Sequence, residues 1–174
     1  MATKRVSKII EIFKNSKEEL KSWDYDLIKR LILVETPHKL ILNPATDVLF
    51  TLNVEDSFCN LLGTMHGGAI ATLIDLTTTL AISGIDKTYR TNVSVQLSTN
   101  YQNPIKKNSN ILIFNRVSKI GKTLAYSTGE IYDQENKLLS NSVHIKAMLE
   151  KTWLWITIDI TIEYIKKLNI YNNI

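Results

Sequence analysis

The sequence is poor in the residues that cross-link, interrupt or anchor a chain. It has one cysteine, Cys59, among 174 residues. An internal disulfide is excluded, and a reducing compartment is the simplest setting. With six glycines and three prolines, collagen-like and Gly/Pro-rich low-complexity architectures are excluded too. Charge of one sign is modest: 21 Lys+Arg against 17 Asp+Glu gives a net +4. The basic residues are dispersed, with some density at Lys4, Arg5, Lys8, Lys14 and Lys17. Neither an RNP-like aromatic motif nor zinc-knuckle spacing accompanies them, so no nucleic-acid partner is expected. A mild positive field also suits a small phosphorylated anion. No apolar run reaches the roughly 20 residues that span a bilayer, so no transmembrane segment is expected. The N-terminus lacks the uninterrupted apolar core of a secretory signal. Residues 1–17 carry a single acid, Glu11, and read as an amphipathic helix in preference to a mitochondrial transit peptide. The expected location is cytoplasmic, with mitochondrial as the alternative.

What is present is ordinary globular material, 44% hydrophobic and 22% charged. A single domain of this length buries roughly two-thirds of its unfolded surface and needs no staples. Val6, Ile9, Ile10 and Phe13 recur at helical spacing and predict a short N-terminal helix. Residues 26–34 read equally as strand or helix, and Thr36-Pro37 breaks the run. Val48, Phe50, Leu52 and Val54 alternate in a half-buried strand. Gly67-Gly68 then opens an apolar run to Ile82 that is hydrophobic on nearly all sides, the pattern of a buried helix over 67–83. Gly84 reads as its stop. Thr77, Thr78 and Thr79 are poor helix formers, so tertiary contacts must hold that turn. Four strand-like runs follow, at 92–101, 110–118, 123–132 and 138–149, the last three joined by short polar turns. An α+β architecture results, an antiparallel sheet wrapped around the buried helix. Its outer edge invites pairing with a second copy. Residues 1–44 form the lead-in, 45–149 the main domain and 150–174 an extension. In that extension Ile156, Ile158, Ile160, Ile162 and Tyr164 alternate with polar residues.

The chemistry concentrates around that helix. Its first amides, at Gly67-Gly68, and its dipole suit a developing negative charge. Glycine allows close approach because no Cβ shields the amide. Asn60 and His66 lie in the preceding loop, and Asp75 two turns further along. A carboxylate on a buried helix is costly unless it is paired or used. Together these groups suit acyl transfer to water. Singly, each has a plainer reading: Gly-Gly as a turn, His66 as a cap, Asn60 as a turn residue, Asp75 as a solvated or paired acid. Ser94 falls on the polar side of a strand. Cys59 reads as a structural thiol, since no base is marked for it. His38 and His144 have no metal-site spacing, and a Walker phosphate loop is excluded by the missing Lys-Ser/Thr.

The joint pattern N-x-x-G-T-x-H-G-G-x-x-x-T-L-x-D, from Asn60 to Asp75, resembles the hotdog-fold acyl-coenzyme A thioesterases. It is most similar to the small single-domain enzymes of the phenylacetate-pathway type and their animal mitochondria-associated relatives. Supporting matches are Thr91–Val95, the Tyr101–Pro104 turn and Gly121–Ala125, and the resemblance spans roughly residues 45–149. It implies hydrolysis of acyl-CoA to free acid and coenzyme A. Gly67 N–H would polarise the carbonyl, and Asn60 and His66 would orient the thioester and the loop. Asp75 would act as general base or nucleophile, and Ser94 would hold the water or the carboxylate. It also implies a homodimer, or a tetramer built as a dimer of dimers. Each site would take Gly67 from one subunit and Asp75 and Ser94 from the other. Arg90, Lys119 and Lys122 are candidates for the coenzyme A phosphates. No metal and no separate cofactor are expected. The alternative is a non-catalytic hotdog module that binds an acyl ligand or a protein. A hotdog hydratase is disfavoured, because the segment Gln102-Asn103-Pro104 lacks the Asp and His of that group.

Overall fold

The computed structural model describes residues 2–15, 23–34, 38–41 and 43–152. The Thr36-Pro37 break and the alternation over 153–164 lie outside them. Helix α1 spans Ala2–Asn15 and α2 spans Trp23–Arg30. Strands β1 (Ile32–Leu33) and β2 (Asp47–Asn53) follow, then helix α3 (Gly67–Ile85). The chain closes with β3 (Arg90–Tyr101), β4 (Asn110–Ile120), β5 (Leu124–Tyr132) and β6 (Leu138–Thr152). The ambiguous stretch at 26–34 is thus the end of a helix followed by a two-residue strand.

The six strands form one antiparallel sheet in the order β1-β2-β4-β5-β6-β3. Helix α3 packs against β2 through β6. Its apolar side chains, among them Leu73, Ile74, Leu80 and Ile82, meet Phe50, Ile111, Ile113 and Ile131 in one core. Nineteen residues long, α3 is apolar and long enough to cross a membrane, but the sheet and α1 wrap it. The expected architecture is therefore observed.

One local expectation is corrected. Gly84 does not end the helix, which runs one residue further to Ile85 and is capped by Asp86. A Cβ at 84 would overlap the Val6 side chain and stand 3.2 Å from its backbone nitrogen. Glycine is there so that α1 can lie directly on α3, with Val6 and Ile10 buried and Lys4, Lys8, Glu11 and Lys14 exposed. Strand β3 turns Val93 and Val95 away from the core. They are 45% and 60% exposed, while Asn92 is buried and bonded to Ser83 of α3. A register shift between Ser94 and Gln96 marks a β-bulge. One extra residue resets the alternation, so Ser94 before it and Leu97 after it both turn toward α3.

The threonine run is held as its propensities require. Thr77, Thr78 and Thr79 each place a hydroxyl on the carbonyl four residues back. Each also reaches the sheet, at Asn115 of β4 and at His144 and Lys146 of β6. This seam fixes α3 against the strands that complete the candidate site.

Candidate active site

The loop entering α3 is shaped by Asn60. Its Oδ1 accepts the Leu62 N–H at 2.9 Å and the Thr64 N–H at 3.3 Å, and its Nδ2 donates to Thr64 Oγ1 at 3.0 Å. Gly63 closes the turn at φ +73°, in the left-handed region. His66 is the helix cap, and its Nδ1 accepts the Gly68 N–H at 2.9 Å. In the neutral ring the proton therefore sits on Nε2. The Gly67 N–H has no acceptor among the described residues and stands at the positive end of a 19-residue helix. The Tyr101 ring, at the end of β3, lies against Gly67, and its hydroxyl donates to Gly67 O at 3.2 Å.

Asp75 is the second pole. Ser94 Oγ donates to its Oδ1 at 2.8 Å, and Lys146 Nζ donates to the same oxygen at 2.8 Å. His144 Nε2 lies 3.1 Å from Ser94 Oγ and 3.7 Å from Oδ1, and His144 Nδ1 lies 2.7 Å from Thr78 Oγ1. Ser94, Lys146 and His144 all approach the carboxylate at Oδ1. Oδ2 has no hydrogen-bond partner among the described residues, and the Asp75 side chain is 43% exposed.

The electrostatics follow from that packing. Burial alone would raise the Asp75 pKa. The hydrogen bond and charge of Lys146, with smaller help from Ser94 and His144, outweigh it and hold the carboxyl below its ordinary 3.8. For His144, burial first and the Lys146 charge second push the pKa down to about 4, against the pull of Asp75. The ring is thus neutral at pH 7 and makes no ion pair with Asp75. Because Ser94 gives its proton to the carboxylate, it must accept from His144 Nε2–H. The one proton of the Thr78 hydroxyl is then shared between Ile74 O and His144 Nδ1. A single polarised chain runs from β6 through β3 to the helix carboxylate.

Asp75 and Ser94, two residues singled out in the sequence, therefore meet. Asn60, His66 and Gly67 form a separate cluster. Eight residues of α3 separate Gly67 from Asp75, about 12 Å at 1.5 Å per residue. His144 and Lys146 are the residues that sequence reasoning missed. Their only signal is polarity at period two in β6: Ser140, Ser142, His144 and Lys146 all face inward and are buried. Arg90 was a candidate for substrate phosphates. Its guanidinium holds Asp86 at 3.1 Å and the carbonyls of Gly121 and Lys122. Lys119 and Lys122 are exposed on the β4–β5 hairpin. Among the described residues no group of three or more His, Cys, Asp or Glu could hold a metal ion.

A six-stranded antiparallel sheet wrapped on a single central helix is the hotdog fold. A family model described as Thioesterase superfamily matches residues 62–140. Acyl-coenzyme A thioesterase 13 of Mus musculus is 32% identical over 125 residues, 71% of this chain and 83% of the relative. Its Homo sapiens counterpart is 34% identical over 100 residues, 57% of this chain and 71% of the relative. The crystal structure of zebra fish thioesterase superfamily member 2 superposes with a TM-score of 0.68 at 26% identity, covering 86% of this chain and 99% of that one. The chain belongs to the thioesterase superfamily, and its reaction is thioester hydrolysis.

Proposed function

We propose that the chain hydrolyses acyl-CoA thioesters and that Asp75 is the general base. One observation carries the role of Asp75: one carboxylate oxygen is anchored by Ser94 and Lys146 while the other has no partner among the described residues. The names of its relatives support the substrate class. Water held at Oδ2 gives a proton to Asp75 as its oxygen attacks the thioester carbonyl. The Gly67 N–H takes up the negative charge that develops on the carbonyl oxygen; such a donor typically contributes about 3 kcal/mol to the barrier. The tetrahedral intermediate expels coenzyme A as a thiolate, which recovers the proton from Asp75. Coenzyme A enters as part of the substrate, and the proposed steps use no separate cofactor. Lys119 and Lys122 supply positive charge for its phosphates.

The 12 Å between Gly67 and Asp75 favours a site shared by two copies of the chain, because one carbonyl cannot touch both groups within one copy. The long edge strand β3, with Val93 and Val95 exposed, is the surface such a copy would use. Thiol release from a panel of short, medium, long and aryl acyl-CoA thioesters tests the activity. Asp75→Asn is expected to retain the fold and lose at least about a thousandfold in kcat. Folded wild type that releases no thiol from any member of the panel would end the acyl-CoA reading. A single turnover in ¹⁸O-water separates base from nucleophile: a nucleophilic Asp75 leaves one label in the protein.

A further inference from the structure

We propose that Lys146 is a positioning residue for the reaction: its ammonium fixes Oδ1 of Asp75, so that Oδ2 alone is presented, ionised, to the reacting water. The proposal rests on the reading of Asp75 as the base. Lys146 lies on the inward face of β6, directly across the ladder from Ser94. Its side chain is 3% exposed, whereas that of its partner Asp75 is 43% exposed. Nζ meets Asp75 Oδ1 at 2.8 Å and also hydrogen-bonds Thr79 Oγ1, one turn further along α3. An ammonium buried this deeply is a poor stabilising device, since an apolar side chain of similar volume usually serves a core as well or better. Its placement makes sense as an anchor.

The surroundings of Asp75 leave that task to Lys146. The titratable groups facing the carboxylate among the described residues are Lys146 and His144, both from β6. His144 is neutral, β3 contributes only the Ser94 hydroxyl, and α3 itself contributes Thr79. Among the described residues Lys146 is therefore the one cation that offsets the cost of burying the carboxylate. Ser94 and Lys146 together stop rotation of the carboxyl group, because both hold the same oxygen. Burial first and the ammonium second keep His144 neutral.

The test is the pH profile of kcat/KM with an acyl-CoA substrate, for wild type, Lys146→Met, Lys146→Arg and Asp75→Asn, each checked for folding by circular dichroism. In Lys146→Met the acid limb should move toward neutral pH, raising the ratio of kcat/KM at pH 7 to that at pH 5 on the order of tenfold. Its kcat at pH 7 should fall about tenfold or more, with KM within about threefold. Lys146→Arg keeps the charge and should restore the low acid limb, with kcat between the two. If the methionine variant does not fold, Lys146→Gln, which keeps a donor without charge, should show the same displaced limb. An unmoved limb and undiminished kcat in a folded neutral variant, beside an inactive Asp75→Asn, would overturn the role of Lys146 alone. An active Asp75→Asn would overturn the reading beneath it.

Discussion

His144 illustrates how one buried side chain ties function to stability. Burial and the neighbouring Lys146 ammonium lower its pKa to about 4 from 6.5. The folded pKa lies below the unfolded one, so as pH falls the unfolded chain takes up the proton first. Above pH 6.5 the ring is neutral in both states and costs nothing. Between pH 6.5 and about 4 the folded state progressively loses about 3 kcal/mol. Asp75 acts in a lower window. Its folded pKa is depressed below 3.8, so the stability it contributes is present above that value and is lost only as pH falls through the folded pKa. Urea unfolding at pH 7 and pH 4.5 should therefore separate the two. Wild type is expected to lose about 2 kcal/mol more between those pH values than His144→Gln, whose side chain does not titrate. Equal losses would mean that His144 is protonated in the folded protein and that its Nδ1 donates to the Thr78 hydroxyl.

The packing of α1 on α3 is decided by one missing methyl group. At Gly84 an added Cβ meets the Val6 side chain and stands within 3.3 Å of backbone atoms of α1, so the two helices must separate. Gly84→Ala is expected to destabilise the fold by about 1–3 kcal/mol despite the better helix propensity of alanine, which is worth about 1 kcal/mol the other way. Val6→Ala in the same chain should recover part of the loss, read as a coupling in a double-mutant cycle of thermal unfolding. The same residue shows what sequence makes legible. The buried helix and four strands of the sheet stood out because each has its own period. Gly84 reads as a stop in the sequence because its reason lies in α1, some 80 positions away, and nothing local distinguishes a packing glycine from a terminating one. β3 is harder to read for a related reason: its polar face is the inward one, and a bulge resets its alternation midway. The site divides similarly. Asn60, His66, Gly67 and Asp75 share one contiguous motif, so they were visible together. Lys146 and His144 come to Asp75 from about 70 positions away, on a strand whose inward polar residues looked like an ordinary solvated face.

At the scale of the molecule, the two poles of the site sit at different levels of one helix, and a rigid α3 cannot bring them closer. A dimer whose copies run antiparallel along their helices would juxtapose each Gly67 with the other copy's Asp75. Position 67 permits a sharp test. It is the first helical residue, where proline is well tolerated, and His66 before it has φ −66° and ψ 139°, the extended geometry that a following proline requires. Gly67→Pro thus deletes the N–H with little disturbance of the helix. Alone it should lose at least about a hundredfold in kcat. Co-expressed with Asp75→Asn under two different tags and purified as the mixed dimer, it should regain about half of the wild-type rate. One of the two sites then carries both substitutions and the other carries neither. If each site instead lies within one chain, both sites of the mixed dimer are damaged and the rate stays at the level of the single variants. That result, or a monomer in light scattering from a fully active protein, would return Gly67 and Asp75 to separate roles.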